Sequence, residues 1–541
     1  MLTKNYILIL FSSFTVTALS QKAFTRKDSL QGGLRFERTC FDVQHYNLNI
    51  KVDIDKKSIQ GFNEIAFKIV KPTSKIQLDL FENMKIDSIV FQQKKLKYTR
   101  EFNAVFIEFP IVLEAKSNQN VFFYYSGSPK IAKNAPWDGG FIYYKDSNGK
   151  NWVGVAVQGT GASLWFPVKD SQSDEPDFGA TLKIAVPNGL MDVSNGRFKG
   201  FEDLKNGYTR WDWEVKSPIN SYDITLNIAD YIHFGEQYKG LDLDFYVLRE
   251  NEAKAKNQFQ EVKPMMDCFQ LKFGKYPFTS DGYKLVETSY LGMEHQSAVA
   301  YGNHYKKGYL GNDLSGTGIG LLFDYIIVHE SGHEWFGNSI TSKDIADMWI
   351  HEGFTMYSEA VYLECQYGYE KAQNYLVGLH EMVRNDQPII GQYGVNNEGS
   401  GDMYPKGALM LNTIRHVIND DTKWWNLILK YSETHRHQII DTNTVITFFN
   451  EESGIDLTTV FNQYLKYTKI PVFEYKIVNG KLNYRWNCNL SKFKMPIELT
   501  IKGKEFRLEP TTNWQEVTIV PTDFSDISVN TQKFYVEVIR L

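Results

Sequence analysis

The chain has 541 residues, a formal net charge of −5, 43% hydrophobic residues and 15% aromatic residues. Such a composition can bury several cores of domain size and excludes a disordered or fibrous protein. The mildly acidic balance argues against nucleic acid as a partner, because nucleic-acid binding requires a basic surface.

Residues 1–20 have the pattern of a signal peptide. Lys4 supplies the positive charge, residues 6–18 form an apolar stretch too short to span a bilayer, and residues 18–20 offer a small-x-small cleavage site. A short membrane anchor is the alternative. No later segment holds 18 uninterrupted apolar residues. We therefore expect an exported protein, periplasmic or extracellular, without stable membrane insertion once the signal peptide is removed.

Residues 36–238 have the alternating pattern of β-strands. Residues 46–54 place an apolar side chain at every second position, and similar runs recur at residues 76–80 and 121–125. A period of two is typical of strands with one buried face. The sequence therefore predicts an N-terminal antiparallel β domain over residues 36–238.

The pattern becomes mainly helical after residue 239. One more extended run, at residues 241–248, precedes it. Helices are expected at residues 250–273, 323–336, 344–365 and 406–467. A mixed α/β domain is predicted over residues 239–470. From residue 471 to residue 541 the period returns to two, with turns at Asn479-Gly480 and at residues 502–504, and this predicts a small C-terminal β-sandwich.

The four cysteines, Cys40, Cys268, Cys365 and Cys488, are scattered without CxxC spacing and are poor candidates for a metal site. In an exported chain they allow up to two disulfides in three possible pairings, between which the sequence does not choose. Buried free thiols are the default expectation.

The most informative motif is His329-Glu330-Ser331-Gly332-His333. Two histidines four positions apart on a helix share one face, so their imidazoles can bind one metal ion. The apolar residues 326–328 precede the motif, and Gly337-Asn338 follows as a helix stop. A pair of histidines with purely structural contacts is the alternative.

Glu352, nineteen positions after His333, adds a carboxylate from the next predicted helix. Two imidazoles and one carboxylate leave the fourth tetrahedral position free, which is typical of catalytic Zn²⁺ rather than structural Zn²⁺. We expect one Zn²⁺ per chain, with His329, His333 and Glu352 as ligands. Glu330 lies beside them as a general base.

The residues around this motif resemble the M1 family of zinc aminopeptidases. The family has HExxH, eighteen residues and then Glu, commonly with WFGN after the motif and EGF around the third ligand. Both accompaniments occur here, in residues 335–338 and 352–354. Further matches lie in residues 42–46, 165–167 and 404–408, so the resemblance extends from about Phe36 to the C-terminus. It implies that residues 239–470 form a thermolysin-like catalytic domain.

The resemblance also implies the roles of single residues. His329, His333 and Glu352 match the zinc ligands, Glu330 the general base, and Tyr404 the tyrosine that stabilises the transition state. Glu294 matches the glutamate of the G-x-M-E-N motif, which binds the free amine of the substrate, and Gln158 the residue that assists it. Glu359 matches a glutamate of the inner shell and is expected to support the site.

Two departures from the family pattern concern the substrate. The G-x-M-E-N segment reads Leu291-Gly292-Met293-Glu294-His295, so Leu replaces Gly and His replaces Asn. The amine-binding carboxylate is retained, while the preferred N-terminal residue and the pH profile are left open. The chain also ends after the predicted β-sandwich, without the long helical C-terminal domain of many relatives, and a more open site is expected.

The expected function is a zinc-dependent aminopeptidase that hydrolyses the N-terminal bond of peptides with a free amine. Three alternatives remain: an epoxide hydrolase on the same scaffold, a catalytically inactive peptide-binding module, and an endopeptidase. The missing helical domain argues against the first. The complete set of ligands, base and tyrosine argues against the second, and Glu294 against the third.

Overall fold

A computed structural model describes residues 23–518 and 523–541. The predicted signal peptide lies outside these residues. The multidomain α+β fold class is confirmed, with a β unit at the N-terminal end followed by a mixed α/β unit. Among the described residues, no helix combines the length and the apolar character needed to cross a membrane.

The N-terminal unit contains three sheets. The largest has eight strands, in the spatial order Arg197–Asp203, Tyr208–Val215, Ala180–Pro187, Phe41–Asp53, Ser58–Ile69, Asn118–Gly127, Met84–Phe91 and Lys94–Lys95. The second has Met191–Ser194, Leu226–Ala229, Asn151–Ala156 and Gly140–Lys145, and the third has Thr73–Asp79, Ala104–Leu113 and Lys97–Glu101. Pairing is antiparallel except between Phe41–Asp53 and Ala180–Pro187, which are parallel.

A five-stranded sheet joins this unit to the helices. Its order is Tyr231–Tyr238, Leu241–Leu248, Tyr283–Glu287, Val299–Tyr301 and Gly292–Met293. Strand Tyr231–Tyr238 pairs along its whole length with Leu241–Leu248, so this sheet begins before the predicted boundary at residues 238–239. Because neighbouring residues of a strand point to opposite faces, Val286 and Ala300 pack against the N-terminal unit, while Leu285 and Val299 pack against the helices.

Eleven α-helices lie in the described residues: Arg26–Gly32, Phe36–Thr39, Glu252–Gln258, Val262–Phe273, Tyr325–Gly332, Trp349–Tyr367, Tyr369–Gly378, Pro405–Ile418, Asp421–Thr434, Thr442–Ser453 and Thr458–Lys466. Every residue from Trp349 to Leu363 is buried, so this long helix forms the centre of the helical layer. Ile340–Ser342 and Gln438–Ile440 form a short parallel pair beside it.

The C-terminal residues form two further sheets. One has Gln515–Val517, Lys481–Asn487, Val472–Val478 and Glu537–Arg540, and the other has Lys504–Leu508, Ile497–Ile501 and Ile527–Val529. Phe473 and Leu499, one from each sheet, are buried in the same apolar cluster as the helices. Arg507 also donates to the carbonyl oxygens of His416 and Val417, which ties the end of the chain to the helical layer.

Cys268 and Cys365 form a disulfide bond between helices Val262–Phe273 and Trp349–Tyr367. The default expectation of free thiols is therefore wrong for this pair. The two positions are 97 residues apart in sequence, and only helix packing brings them together. Cys40 and Cys488 remain free thiols.

Candidate active site

Helix Tyr325–Gly332 carries the HExxH motif and is fixed at both ends. The carboxylate of Asp324 accepts hydrogen bonds from the backbone N–H groups of Ile326 and Ile327, which caps the helix. At the other end, a Cβ on Gly332 would lie 2.5 Å from the hydroxyl oxygen of Ser358. Only glycine permits this close approach, which sets the motif directly against the long helix.

The three predicted metal ligands meet at this contact. The Nε2 atoms of His329 and His333 lie 3.8 Å and 3.3 Å from Oε2 of Glu352. One donor atom from each residue lies within 4.8 Å of the others, and all three side chains are buried. The Oε2 atom of Glu352 is buried without a hydrogen-bond partner among the described residues. A cation between these atoms would satisfy it.

In both histidines the ring nitrogen that faces away from the proposed metal position, Nδ1, already has a hydrogen-bond partner. Nδ1 of His329 lies 2.6 Å from Oε1 of Glu359, and Nδ1 of His333 lies 3.0 Å from the carbonyl oxygen of Phe336. Both partners are acceptors, so Nδ1 carries the proton in each ring and Nε2 presents a lone pair to the site. This donor set fits a divalent metal ion, and Glu359 occupies the supporting position expected for it.

Glu330 lines the cavity beside these ligands. A Cβ on Gly292 would lie 2.8 Å from Oε1 of Glu330, so glycine leaves the carboxylate its space. Burial raises the pKa of Glu330 to about 7.

Tyr404 enters the site from the start of helix Pro405–Ile418. Gly353 and Gly407 bring this helix against the long helix, because a Cβ on Gly407 would lie 2.9 Å from the Cα atom of Gly353. The ring of Tyr404 stacks on that of His329, with centroids 6.0 Å apart. Burial and the carboxylate of Glu352 raise the pKa of Tyr404 well above 10, so its hydroxyl keeps its proton.

Glu294 lies across the site and is only 2% exposed. Its Oε1 atom accepts hydrogen bonds from Nε2 of Gln158, at 2.5 Å, and from the hydroxyl of Tyr222, at 3.2 Å. Gln158 also donates to Oε1 of Glu352 at 3.2 Å. The structure thus brings the predicted amine-binding pair next to the predicted metal ligands.

Gly292–Met293 is the edge strand of the five-stranded sheet and lines the cavity together with Leu291. An edge strand leaves backbone groups free to pair with an extended peptide. His295, in contrast, is fully buried, and neither ring nitrogen has a hydrogen-bond partner among the described residues. Burial lowers the pKa of His295 to about 3, so the ring is neutral near pH 7.

One cavity of about 670 Å³ is bordered by the three ligands, Glu330, Tyr404, Glu294 and Gln158, whereas Tyr222, His295 and Glu359 do not line it. This volume lies in the range of pockets for small ligands. Its wall combines the three ligands and Glu330 with apolar side chains, among them Met293, Ile326 and Met356. The arrangement can hold a metal ion, a water molecule and the end of a peptide together.

Two residues linked to Glu294 were not predicted from the sequence: Tyr222 contacts Glu294, and His351 contacts Tyr222. Tyr222 comes from the N-terminal unit, and His351 directly precedes Glu352 on the long helix. Their contact spans 129 positions, and no local pattern signals it. The position of His351 next to a predicted ligand was the one available indication.

Comparisons with known proteins agree with this geometry. A model described as "Peptidase family M1 domain" matches residues 258–464, and one described as "Peptidase M1 N-terminal domain" matches residues 42–222. Together they span most of the chain, including every predicted site residue.

Curated relatives include the aminopeptidase N of Lactobacillus helveticus, 23% identical over 81% of this chain and 52% of its own length. The probable aminopeptidase 1 of Sulfurisphaera tokodaii is 20% identical over 86% of this chain and 58% of its own length. The chain thus spans about half the length of the curated relatives it matches. Among solved structures, an M1 zinc metallopeptidase from Deinococcus radiodurans superposes with a TM-score of 0.67 at 18% identity, covering 81% of this chain and 96% of its own.

Proposed function

The chain belongs to peptidase family M1, and we propose that it is a zinc-dependent aminopeptidase that releases the N-terminal residue of peptides with a free amine. The observation that carries this proposal is the position of Glu294. Its buried carboxylate faces the cavity that also holds His329, His333 and Glu352. A group that binds an ammonium next to a metal centre selects the first peptide bond of a chain.

His329, His333 and Glu352 would hold the metal ion, and two imidazoles with one carboxylate are a donor set that suits zinc. A bound Zn²⁺ supplies a Lewis acid that polarises the scissile carbonyl group and lowers the pKa of water to about 7. Glu359 and the carbonyl oxygen of Phe336 keep the two imidazoles in the required tautomer.

Glu330 moves the proton in this mechanism. Its carboxylate accepts a proton from the attacking water and delivers it to the nitrogen of the leaving amine. Water is thereby divided between the two products, the released amino acid and the shortened peptide. The small size of Gly292 leaves the carboxylate access to the scissile bond.

Tyr404 stabilises the negative charge that develops on the carbonyl oxygen. Because the pKa of Tyr404 is raised, its hydroxyl remains a hydrogen-bond donor throughout the working pH range. Donors of this kind contribute about 3–4 kcal/mol to the transition state in related acyl-transfer sites. The stacking of Tyr404 on His329 fixes the direction of the donor.

Glu294 and Gln158 restrict the enzyme to chain ends. The ammonium of a substrate pairs with the carboxylate of Glu294, whereas an acetylated or internal peptide would leave this buried carboxylate without a cationic partner. The loss of this partner lowers the affinity for such a peptide at least several-fold. This argument supports an exopeptidase over an endopeptidase.

A matched pair of substrates tests the proposal. The purified protein is incubated with an aminoacyl-arylamide and its N-acetylated form, before and after dialysis against a chelator. We expect hydrolysis of the free amine only, loss of activity on chelation, and recovery with Zn²⁺. Equal hydrolysis of both substrates would contradict the exopeptidase assignment, and full activity after chelation would contradict the metal requirement.

The same proposal includes export from the cytoplasm, on the basis of residues 1–20. N-terminal sequencing of the natural protein, taken from the cell envelope and from the medium, tests it. We expect a mature N-terminus near Gln21, and an intact Met1 would contradict it.

A further inference from the structure

We propose that Tyr222 and His351 are positioning residues that orient the amine-binding carboxylate through a chain of hydrogen bonds beginning at the backbone of Ser342. The inference rests on the proposed function, because it explains how Glu294 is held for an ammonium. It concerns three buried side chains, Tyr222, His351 and Glu294, which are 5%, 0% and 2% exposed.

The hydrogen-bond chain starts at a backbone N–H. Ser342, on the strand Ile340–Ser342, donates to Nε2 of His351 at 2.8 Å. A backbone N–H can only donate, so Nε2 of His351 must be an acceptor without a proton. The ring is therefore neutral, and its single proton lies on Nδ1.

The direction of the next two bonds follows from this tautomer. Nδ1 of His351 lies 3.4 Å from the hydroxyl oxygen of Tyr222 and donates to it. The hydroxyl proton of Tyr222 is then free to point elsewhere, and Oε1 of Glu294, at 3.2 Å, is its acceptor. Each group in the sequence Ser342, His351, Tyr222 and Glu294 donates to the next.

The result is an asymmetric carboxylate at Glu294. Its Oε1 atom accepts hydrogen bonds from the hydroxyl of Tyr222 and from the side-chain amide of Gln158. Both donors bind Oε1, and within residues 23–518 and 523–541 no side chain donates to Oε2. Oε2 is therefore the oxygen available to the substrate ammonium. Two donors on one oxygen fix the rotation of the carboxylate and hold Oε2 toward the cavity.

The hydrogen-bond chain also links the amine-binding site to the metal site. His351 and Glu352 are neighbours on the long helix, so one backbone segment positions both a metal ligand and a member of the hydrogen-bond chain that leads to Glu294. A fixed spacing between these two groups determines which bond of a peptide lies over the metal, because reacting groups must be held within about 0.5 Å of their working geometry.

Tyr222→Phe is the direct test, since it removes one hydroxyl and keeps the ring. The probes are an aminoacyl-arylamide with a free amine and its desamino analogue, which has the same side chain and arylamide bond but no α-amino group. We expect KM for the free amine to rise about tenfold with a smaller change in kcat. The preference for the free amine over the desamino analogue should fall by a similar factor.

Tyr231→Phe is the matched control. Tyr231 is another buried tyrosine, and its hydroxyl donates to the carbonyl oxygen of Glu287 rather than to Glu294. A general loss of packing or stability would affect both variants and both substrates alike. The preference for the free amine should change only in Tyr222→Phe.

Substitutions of His351 test the first half of the chain. His351→Asn places an amide N–H near the position of Nδ1 and should retain most of the preference, whereas His351→Leu should lose about as much as Tyr222→Phe. Bound zinc and the unfolding temperature are measured for each variant, so that a misfolded protein is recognised. Tyr222→Phe remains the decisive variant if His351→Leu does not fold.

The two levels of the proposal fail differently. If the wild type does not prefer the free amine, the proposed function is wrong. If the wild type prefers it and Tyr222→Phe preserves both KM and the preference, the positioning chain is wrong.

Discussion

Glu359→Gln should weaken zinc binding without removing any ligand. The carboxylate of Glu359 is fully buried. It accepts a hydrogen bond from Nδ1 of His329 at 2.6 Å and another from the hydroxyl of Tyr375. A glutamine of the same shape keeps an oxygen for His329 but loses the negative charge. The substitution therefore replaces a charge-assisted hydrogen bond with a neutral one.

The magnitude follows from the two kinds of hydrogen bond. A bond to a charged group contributes about 1.5–3 kcal/mol and a neutral one about 0.5–1.5 kcal/mol, so the loss is about 1–2 kcal/mol. This corresponds to about 5–30-fold in the dissociation constant of zinc. Outer partners of metal-bound histidines commonly contribute 10–100-fold, in agreement with this range.

Competition with a chromophoric chelator measures the zinc affinity, and activity at saturating zinc is measured in parallel. Glu370→Gln is the control, since Glu370 lies exposed on the neighbouring helix Tyr369–Gly378. We expect weaker zinc binding in Glu359→Gln alone, with activity largely restored by excess zinc. A zinc affinity within twofold of wild type would refute the reasoning.

Three further predictions concern single groups. Glu330→Gln should bind zinc as tightly as wild type but lose at least about 100-fold in kcat, because the proton acceptor is gone; metal analysis and arylamide kinetics measure both. Because the folded-state pKa of His295 is about 3 and its unfolded value is near 6.5, the unfolded chain binds the extra proton, so stability falls as pH falls from 6.5 toward 3. His295→Asn should reduce this dependence of stability on pH. Urea unfolding at pH 7.5 and pH 5 measures it, and an equal loss of unfolding free energy in wild type and variant would contradict the reasoning. Cys268→Ser should lower the free energy of unfolding by about 2–5 kcal/mol, because the bond to Cys365 closes a loop of 97 residues; denaturant unfolding of oxidised wild type and variant tests this.

The metal-binding part of the site could be predicted because its signals are local. His329 and His333 lie one helical turn apart, and Glu352 lies on the next helix, so the periodicity alone indicates that they can meet. Tyr404 and Glu294 needed the family resemblance. No physical rule applied to the sequence specifies that the helix beginning after Tyr404 packs against Gly353.

The contacts that sequence patterns alone could not indicate are long-range. Gln158 and Glu294, 136 positions apart, were paired only through the family resemblance, and the contact of Tyr222 with His351, 129 positions apart, was missed. They meet because the five-stranded sheet packs one face on the N-terminal unit and the other on the helices. The disulfide between Cys268 and Cys365 was missed for the same reason, since it depends on how two helices pack.

His295 shows where a sequence pattern misleads. Its position in the G-x-M-E-N segment, where it replaces Asn, left the pH profile open. The ring is instead fully buried and does not line the cavity, and burial lowers its pKa to about 3, which keeps it neutral. We therefore predict that Leu291, which lines the cavity, affects the preferred N-terminal residue more than His295 does.

The central claim is cleavage at a free N-terminus by a metal-dependent site, and mass spectrometry of one peptide tests it most directly. A peptide of about eight residues and its N-acetylated form are incubated with the zinc-loaded protein, and the products are followed over time. We predict stepwise loss of residues from the free N-terminus, no cleavage of the acetylated peptide, and no cleavage of either after chelation. Internal fragments, or equal cleavage of the acetylated peptide, would contradict the account.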